Sequence, residues 1–307
     1  TGNVALGVEA SAFGYGNEAK ADYSSAFGYG NTASEIETTA VGRSNQANGE
    51  RSSALGYGNR AIGHDTSAIG SNNYAVGHLS SAVGLGNTAG GENSSALGLS
   101  NTADGFEASA IGAGNTSAGD QAVAVGNANT AAGDRASALG YYNNALGEGS
   151  VAVGSSNNAD AAGSSAVGVN NSAEGVDANA FGNNNIAKGD YSSAFGVNNS
   201  TAGQQSSAVG YDNLAYGDRA SVFGYKNIAA AADGVALGGS NIVTGAKATA
   251  VGTNNKVKGS SSAAVGTDNI VDAELAAVMG NENKLYANNS AALGNGNIIT
   301  GNATNGL

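Results

Sequence analysis

One 14-residue unit repeats through the whole chain without an insertion or a deletion. The glycine of the phrase Ser-Ala-apolar-Gly stands at Gly14, Gly28, Gly42 and every fourteenth residue up to Gly294, which makes 21 units. We number positions in the unit from this glycine, which is position 0. A strict short period is typical of repeat architectures, in which each unit contacts only its neighbours and the array grows along one axis. We therefore predict one repeat domain over residues 1–307.

The composition favours short strands over helices and allows only a thin core. The chain has 50 glycines, six phenylalanines, no tryptophan and no proline. Glycine at this frequency opposes a helix, and the absence of proline suits strands whose backbone amides all pair. A typical unit, residues 122–133, has two segments separated by glycine-containing turns, so we predict two five-residue strands per unit. Each unit then forms one flattened coil, and the fold class is all-β: a parallel solenoid of 14-residue coils.

Two alanine columns are predicted to fill the inside of the coil. Position −2 is alanine in 19 of the 21 units, with Val222 and Val278 as the exceptions, and position +5 is alanine in most units. Alternate residues of a strand point to opposite faces, so the large apolar residues at position −1 face away from the alanines at position −2. The alternative orientation places position −1 inside the coil and the alanines at a contact with another chain.

The residues at position −1 form what we call the apolar stripe. Burial of one such side chain is worth about 1.5 to 3 kcal/mol, so a continuous stripe left in water is unfavourable and promotes aggregation. We therefore predict a homo-oligomer in which another copy of the chain covers the stripe. The first ten stripe residues, predicted to form the interface between chains, are Phe13, Phe27, Val41, Leu55, Ile69, Val83, Leu97, Ile111, Val125 and Leu139.

Asparagine occupies position +3 in every unit, beginning with Asn17, Asn31, Asn45 and Asn59. Asparagine tolerates left-handed backbone and forms hydrogen bonds within turns, and stacked asparagines form amide ladders. We therefore interpret this column as structural turn residues rather than as a ligand-binding row.

The columns change character in the last third of the chain. Larger apolar residues replace smaller ones at positions +4 and +5, so we expect a wider or differently packed coil there. These residues are Ile242, Ile270 and Ile298 at position +4, and Val243, Val257, Val271, Leu285 and Ile299 at position +5.

Tyrosine recurs at position +1, next to a turn. An exposed tyrosine offers a large rigid contact area with a polar tip, which suits binding to a protein or a glycan. The alternative is that these rings only pack against the adjacent coil or another protomer. The candidate ligand-binding residues of this column are Tyr15, Tyr29, Tyr57, Tyr141, Tyr211 and Tyr225.

Position +8 holds many of the residues that are candidate metal ligands. His64 and His78, the only histidines, share this position in consecutive units. Calcium needs six to eight oxygen ligands and a structural zinc needs four ligands, and these columns assemble neither set. We interpret position +8 as a solvated turn and expect no metal and no cofactor. The carboxylates at this position are Asp22, Glu50, Glu92, Asp120, Asp134, Glu148, Asp190, Asp218 and Glu274.

Several functional classes are disfavoured. A solenoid enzyme needs loops that gather a nucleophile, a base and a pocket, and no insertion supplies such a loop. The column of Thr88, Thr102, Thr116 and Thr130 at position +4 is too short and narrow for an ice-binding surface. A net charge of −12 disfavours nucleic acid and anionic membrane as partners. No run of 18 apolar residues is present, so we expect no direct membrane insertion by this sequence.

The segment from Ser81 to Gly91, Ser-Ala-Val-Gly-Leu-Gly-Asn-Thr-Ala-Gly-Gly, closely resembles the head repeat of YadA-like trimeric autotransporter adhesins. The resemblance covers the whole chain and implies a left-handed parallel β-roll, assembled as a parallel homotrimer. Two features depart from the family pattern: asparagine stands at position +3 where the family commonly has serine, and residues 301–307 show no neck and no heptads. We therefore expect the stalk and the membrane anchor to lie outside this sequence.

The resemblance implies a cell-surface adhesin head that binds a host matrix protein, a glycan, a cell-surface receptor or other bacteria. It also implies a location on the bacterial surface, anchored in the outer membrane through a C-terminal region. Adhesion in this family is spread over the repeat surface, so no catalytic residue is implied. The alternative function is a passive spacer that projects a more distal binding domain.

Overall fold

The computed structural model describes residues 2–301, which form β-strands and turns. The chain divides into two compact units, Thr1–Ser156 (unit 1) and Asn157–Leu307 (unit 2). Each unit is a parallel β-solenoid with 14-residue coils, as the period predicts. The expectation of a single domain over residues 1–307 stays a prediction.

Each coil contains one long strand of five residues and one short strand of two residues. The long strands run from position −3 to position +1, and the short strands occupy positions +4 and +5. The prediction of two five-residue strands is therefore wrong for the second strand. The turns on either side of this strand occupy the residues that were expected to extend it.

In unit 1 the long strands lie in one sheet and the short strands in a second sheet. The long strands are Ser11–Tyr15, Ser25–Tyr29, Thr39–Arg43, Ser53–Tyr57, Ser67–Ser71, Ser81–Leu85, Ser95–Leu99, Ser109–Ala113, Val123–Asn127, Ser137–Tyr141 and Val151–Ser155. The short strands are Val4–Ala5, Glu18–Ala19, Thr32–Ala33, Gln46–Ala47, Arg60–Ala61, Tyr74–Ala75, Thr88–Ala89, Thr102–Ala103, Thr116–Ser117, Thr130–Ala131 and Asn144–Ala145.

Unit 2 repeats this arrangement of two sheets. Its long strands are Ser165–Val169, Asn179–Asn183, Ser193–Val197, Ser207–Tyr211, Ser221–Tyr225, Val235–Gly239, Thr249–Thr253, Ala263–Thr267, Ala277–Asn281 and Ala291–Asn295. Its short strands are Asn158–Ala159, Ser172–Ala173, Ile186–Ala187, Ser200–Thr201, Leu214–Ala215, Ile228–Ala229, Ile242–Val243, Lys256–Val257, Ile270–Val271, Lys284–Leu285 and Ile298–Ile299.

Strands of adjacent coils pair in parallel with a register of one full unit. Ser25–Tyr29 pairs with Thr39–Arg43, which places Phe27 opposite Val41. The turns are also hydrogen-bonded from coil to coil: the backbone N–H of Ser44 donates to the carbonyl oxygen of Tyr29 over 2.9 Å. Every sequence column therefore becomes a physical column in which equivalent side chains stack.

The inside of each coil is filled by small side chains. The alanines at positions −2 and +5, such as Ala96 and Ala103, are buried, whereas Leu97 of the apolar stripe is 47% exposed. The predicted inward orientation of the alanines is thus confirmed, and the alternative that places position −1 inside is wrong. A third buried column at position −4, which includes Ser24 and Thr38, was not predicted.

Larger side chains enter the interior in the last coils, as expected from the sequence. Val243, Val257 and Leu285 at position +5 are fully buried. Gly234 gives Val243 part of its space, because a Cβ added at residue 234 would lie 3.3 Å from Cγ1 of Val243. The interior of these coils is therefore packed differently from the alanine-lined interior of unit 1.

The glycine at position 0 allows the close approach of neighbouring coils. Gly98 has a φ of +122°, and a Cβ added there would lie 2.0 Å from the carbonyl oxygen of Gly112. Any other residue would clash with the backbone of the next coil and would also be strained at this φ. This geometry explains why position 0 is glycine in every unit.

Candidate functional surface

The apolar stripe lies on the outer face of the long-strand sheet in each unit. Its side chains stack coil on coil; in unit 2 the rings of Phe181 and Phe195 are 5.2 Å apart and nearly parallel. Ile69 is 40% exposed and Met279 is 56% exposed, so much of this apolar surface remains in contact with water in the single chain. The interface role of Phe13, Phe27, Val41, Leu55, Ile69, Val83, Leu97, Ile111, Val125 and Leu139 stays a prediction.

The asparagine column at position +3 forms a buried amide ladder. Nδ2 of Asn31 donates to Oδ1 of Asn17 over 2.9 Å, and also contacts the carbonyl oxygens of Phe27 and Gly42. Oδ1 of Asn31 accepts the backbone N–H and the side-chain Nδ2 of Asn45. Each amide thus satisfies backbone groups of its own coil and of the next one, which leaves it no free group for a ligand.

These asparagines do not have the left-handed backbone that was one reason for interpreting them as turn residues. Apart from glycines, the residues with a left-handed backbone are at positions +2 and +9, as in Ser44 with a φ of 58° and Arg51 with a φ of 56°. None of the described residues with a left-handed backbone is Asn17, Asn31, Asn45 or Asn59. Asparagine is therefore needed at position +3 for its side-chain hydrogen bonds and not for its backbone tolerance.

The six tyrosines at position +1 are all exposed, and they fall into separate groups along the column. Tyr15 stacks on Tyr29, with ring centroids 5.2 Å apart and an angle of 11° between the planes. Tyr211 stacks on Tyr225 at 5.5 Å, whereas Tyr141 makes an edge contact with its neighbour in sequence. Their role in ligand binding stays a prediction.

An arginine interrupts the first tyrosine group. Cζ of Arg43 lies 5.7 Å from the ring centroid of Tyr29 and 5.7 Å from that of Tyr57. Both distances are within the range of a cation–π contact. We call Tyr15, Tyr29, Arg43 and Tyr57 the Tyr–Arg stack. Arg43 was not predicted as a site residue, because only the recurring tyrosines of this column were considered.

The aspartates at position +8 have a structural role in addition to being solvated. Oδ1 of Asp120 accepts the backbone N–H of Phe106 over 3.0 Å, and Oδ1 of Asp134 accepts that of Asp120. Asp22 and Asp190 make the same contact with the preceding coil. The interpretation of position +8 as a merely solvated turn was therefore incomplete, because aspartate supplies an acceptor to an otherwise free turn amide.

Ion pairs connect adjacent coils at position +9. The guanidinium of Arg51 forms two hydrogen bonds with the carboxylate of Asp65, 2.6 and 2.7 Å long, and Arg219 pairs with Asp233 in the same way. The hydrogen bond from Arg51 lowers the pKa of Asp65, and that from Arg219 lowers the pKa of Asp233. These pairs are exposed, so each contributes little to stability.

His64 and His78 stack above each other beside these ion pairs. Their ring centroids are 4.9 Å apart, and Nδ1 of His64 lies 3.5 Å from a carboxylate oxygen of Glu50. Within residues 2–301, no group of three or more histidine, aspartate and glutamate side chains is arranged to hold a metal ion. The same part of the chain contains no helix that is long and apolar enough to span a membrane.

Comparison with known protein families identifies the repeat. A model described as the YadA head domain repeat, in two copies, matches residues 5–31, 33–59, 75–101, 103–129, 131–157, 187–213, 215–241 and 244–269. These segments cover more than half of the chain and both of its units. A search of curated proteins finds no significant match.

Proposed function

Since the chain belongs to the YadA head domain repeat family, we propose that it is the head of a trimeric adhesin on the bacterial surface. The observation that carries this proposal is the family repeat, which recurs through most of the chain. We further propose that the coil is left-handed and that a region outside this sequence anchors the protein in the outer membrane. The repeat is of an adhesive and structural type rather than an enzymatic one.

The apolar stripe supports a parallel homotrimer. Its exposed side chains have the same spacing in every copy of the chain, so parallel copies in register place stripe against stripe over many coils. If half of each side chain becomes buried on assembly, each contributes about 1 kcal/mol, and ten of them contribute on the order of 10 kcal/mol per copy. Such a gain is comparable with the cost of association, which is about 4 to 15 kcal/mol.

Mass measurement in solution tests the trimer. We expect the full chain to have the mass of three copies, and the double variant Val125→Asp, Leu139→Asp to dissociate or to open locally, because it buries carboxylates against apolar side chains. Leu146→Asp is the matched control, since Leu146 is exposed outside the stripe. A stable wild-type monomer, or equal masses for the double variant and wild type with no local opening detected by hydrogen exchange, would contradict the proposal.

Adhesion is proposed to reside on the outward columns of the trimer. The tyrosines at position +1 are exposed in every case, and the residue types at this position differ from coil to coil. A host matrix protein, a glycan, a cell-surface receptor or another bacterium is the proposed partner. Beads coated with the full chain should bind cells or matrix proteins better than beads coated with an inert protein. Equal binding would instead favour a passive spacer.

A further inference from the structure

The five arginines of the chain divide into two classes. Arg51, Arg135 and Arg219, all at position +9, form ion pairs with carboxylates. Arg43 and Arg60 have no carboxylate partner among the described residues, and each contacts tyrosine rings instead: Cζ of Arg60 lies 5.3 Å from the ring centroid of Tyr74. In a chain with 24 acidic residues, two arginines without an acidic partner require an explanation.

Both of these arginines flank the same turn in adjacent coils. Arg43 ends one long strand, and Arg60 begins the short strand that follows Tyr57 in the next coil. Within the part of the chain that the structure describes, Nε of Arg60 is enclosed but has no hydrogen-bond acceptor. This nitrogen is out of reach of a ligand, whereas Arg43 is exposed and, among the residues described, its guanidinium contacts only tyrosine rings.

The charge distribution of unit 1 leaves this turn open to anions. Positions +1 and +2 of unit 1 contain no aspartate and no glutamate. The opposite turn, at positions +8 and +9, carries most of the negative charge of the unit. Its acidic residues are Glu9, Asp22, Glu37, Glu50, Asp65, Glu92, Glu107, Asp120, Asp134 and Glu148. An anion approaching the Tyr–Arg stack thus avoids the acidic turn.

At Tyr29 the Tyr–Arg stack exposes the polar edge of the ring rather than its faces. Tyr15 covers one face of Tyr29 and the guanidinium of Arg43 covers the other. Tyr29 and Tyr57 are still 52% and 49% exposed, which leaves their edges in contact with water. A Cβ added at Gly30, beside Tyr29, would meet no atom within 4 Å, so a ligand can approach the bare backbone closely there.

We propose that Arg43, with the edges of Tyr29 and Tyr57, binds the acidic group of a carboxylated or sulfated sugar. A planar guanidinium donates paired hydrogen bonds to such an oxyanion. Sugar hydroxyls suit the tyrosine hydroxyls and the open backbone at Gly30. An apolar peptide side chain fits less well, because the faces of Tyr29 are already covered.

This inference rests on the proposed adhesive function and deepens it by naming the ligand class. In the proposed trimer the site occurs three times, so a weak interaction at one copy is strengthened by multivalent attachment to a glycan-covered surface. Each site needs residues of only one chain, and the trimer raises avidity without changing the chemistry of recognition.

Binding of the full chain to immobilised glycans tests the site. We expect retention on sialyllactose or on a heparin tetrasaccharide, and little on lactose, which has no acidic group. Sialyllactose supplies only a carboxylate, and the heparin fragment also supplies sulfates. Comparing binding to these two glycans therefore shows which acidic group the site recognises. We expect Arg43→Gln to weaken binding by roughly tenfold or more, as for loss of hydrogen bonds to a charged group.

Arg135→Gln is the matched control, because it removes the same charge from the opposite turn, and it should bind within about twofold of wild type. Equal weakening by Arg43→Gln and Arg135→Gln would indicate nonspecific electrostatics and overturn the proposal. So would the absence of binding to any acidic glycan, or dissociation of the trimer by Arg43→Gln. If wild-type and Arg43→Gln beads then adhered equally to cells, the adhesive function would stand and only the sugar site would fail.

Discussion

Replacement of one asparagine in the buried ladder tests how the coils are held together. Asn101 contacts Oδ1 of Asn87 and the carbonyl oxygens of Leu97 and Gly112 through Nδ2, over 2.8 to 3.0 Å. Its Oδ1 accepts the backbone N–H and the Nδ2 of Asn115. Asn101→Ala removes all of these contacts while leaving the strands on either side unchanged.

The expected loss in the free energy of unfolding follows from the number of protons that the side-chain amide of Asn101 can donate. Nδ2 carries two protons, so its three contacts represent about two hydrogen bonds, and Oδ1 accepts two more. At about 1 kcal/mol for each net hydrogen bond, the loss is about 4 kcal/mol. Asn101→Ser should lose less than Asn101→Ala, because the hydroxyl keeps one donor and one acceptor. The matched control is Asn127→Ala, at an exposed position two coils further along the chain.

Chemical denaturation of the purified full chain measures the free energy of unfolding, and hydrogen exchange measures the local effect. The backbone N–H of Asn115 should exchange faster in Asn101→Ala, because its acceptor has been removed. A loss below about 1 kcal/mol, or unchanged exchange at Asn115, would refute the view that the ladder holds adjacent coils together. A similar loss in Asn127→Ala would show that the effect does not depend on burial.

Three further substitutions test the interior, the backbone and the ion pairs. Gly98→Ala should destabilise the chain by several kcal/mol more than Gly114→Ala in thermal unfolding, because only the first places a Cβ 2.0 Å from a carbonyl oxygen; equal effects would contradict the close-approach argument. Val257→Ala should cost about 2 kcal/mol in denaturant unfolding through lost burial and a cavity, and no loss would mean that the coil closes around alanine. Arg51 lowers the pKa of Asp65, so the ionised carboxylate stabilises the fold above the unfolded-state pKa, and this contribution is lost as the pH falls through the lower folded-state pKa. The melting temperature of Asp65→Asn should therefore fall less on acidification than that of wild type, and identical pH profiles would show that the pair contributes nothing.

The columns that could be predicted from sequence are those in which the alternation of a strand decides whether a side chain points inward or outward. Ala96 and Leu97 are neighbours in one strand, so one must point inward when the other points outward, and their sizes indicate which. The burial of Val257 and Leu285 followed from the same argument. At these positions the size of the side chain indicates whether it points inward or outward. Because the positions repeat, a single sequence is enough to tell which columns are buried.

The turns were less predictable because their geometry depends on contacts between coils. Position +9 is left-handed although it includes Arg51 and Leu79, residues that do not favour this conformation. The backbone N–H of each donates to a carbonyl oxygen of the preceding coil over 2.9 Å, and this pairing fixes the turn. Asp120 bonds to Phe106 for the same reason. Neither contact is visible until coils are stacked with their actual register.

The contrast between inward columns, which change little, and outward columns, which vary, also limits where specificity for a ligand can arise. An inward position has neighbours above, below and across the coil, so a larger residue at one level affects all of them. A Cβ added at Gly234, for example, would lie only 3.3 Å from Cγ1 of Val243. An outward position such as Arg43 contacts mainly the equivalent residues of adjacent coils. A substitution there changes the surface chemistry over two or three coils without altering the interior. A binding site on this fold is therefore expected as a short run of unusual outward residues within regular coils, and the Tyr–Arg stack is such a run.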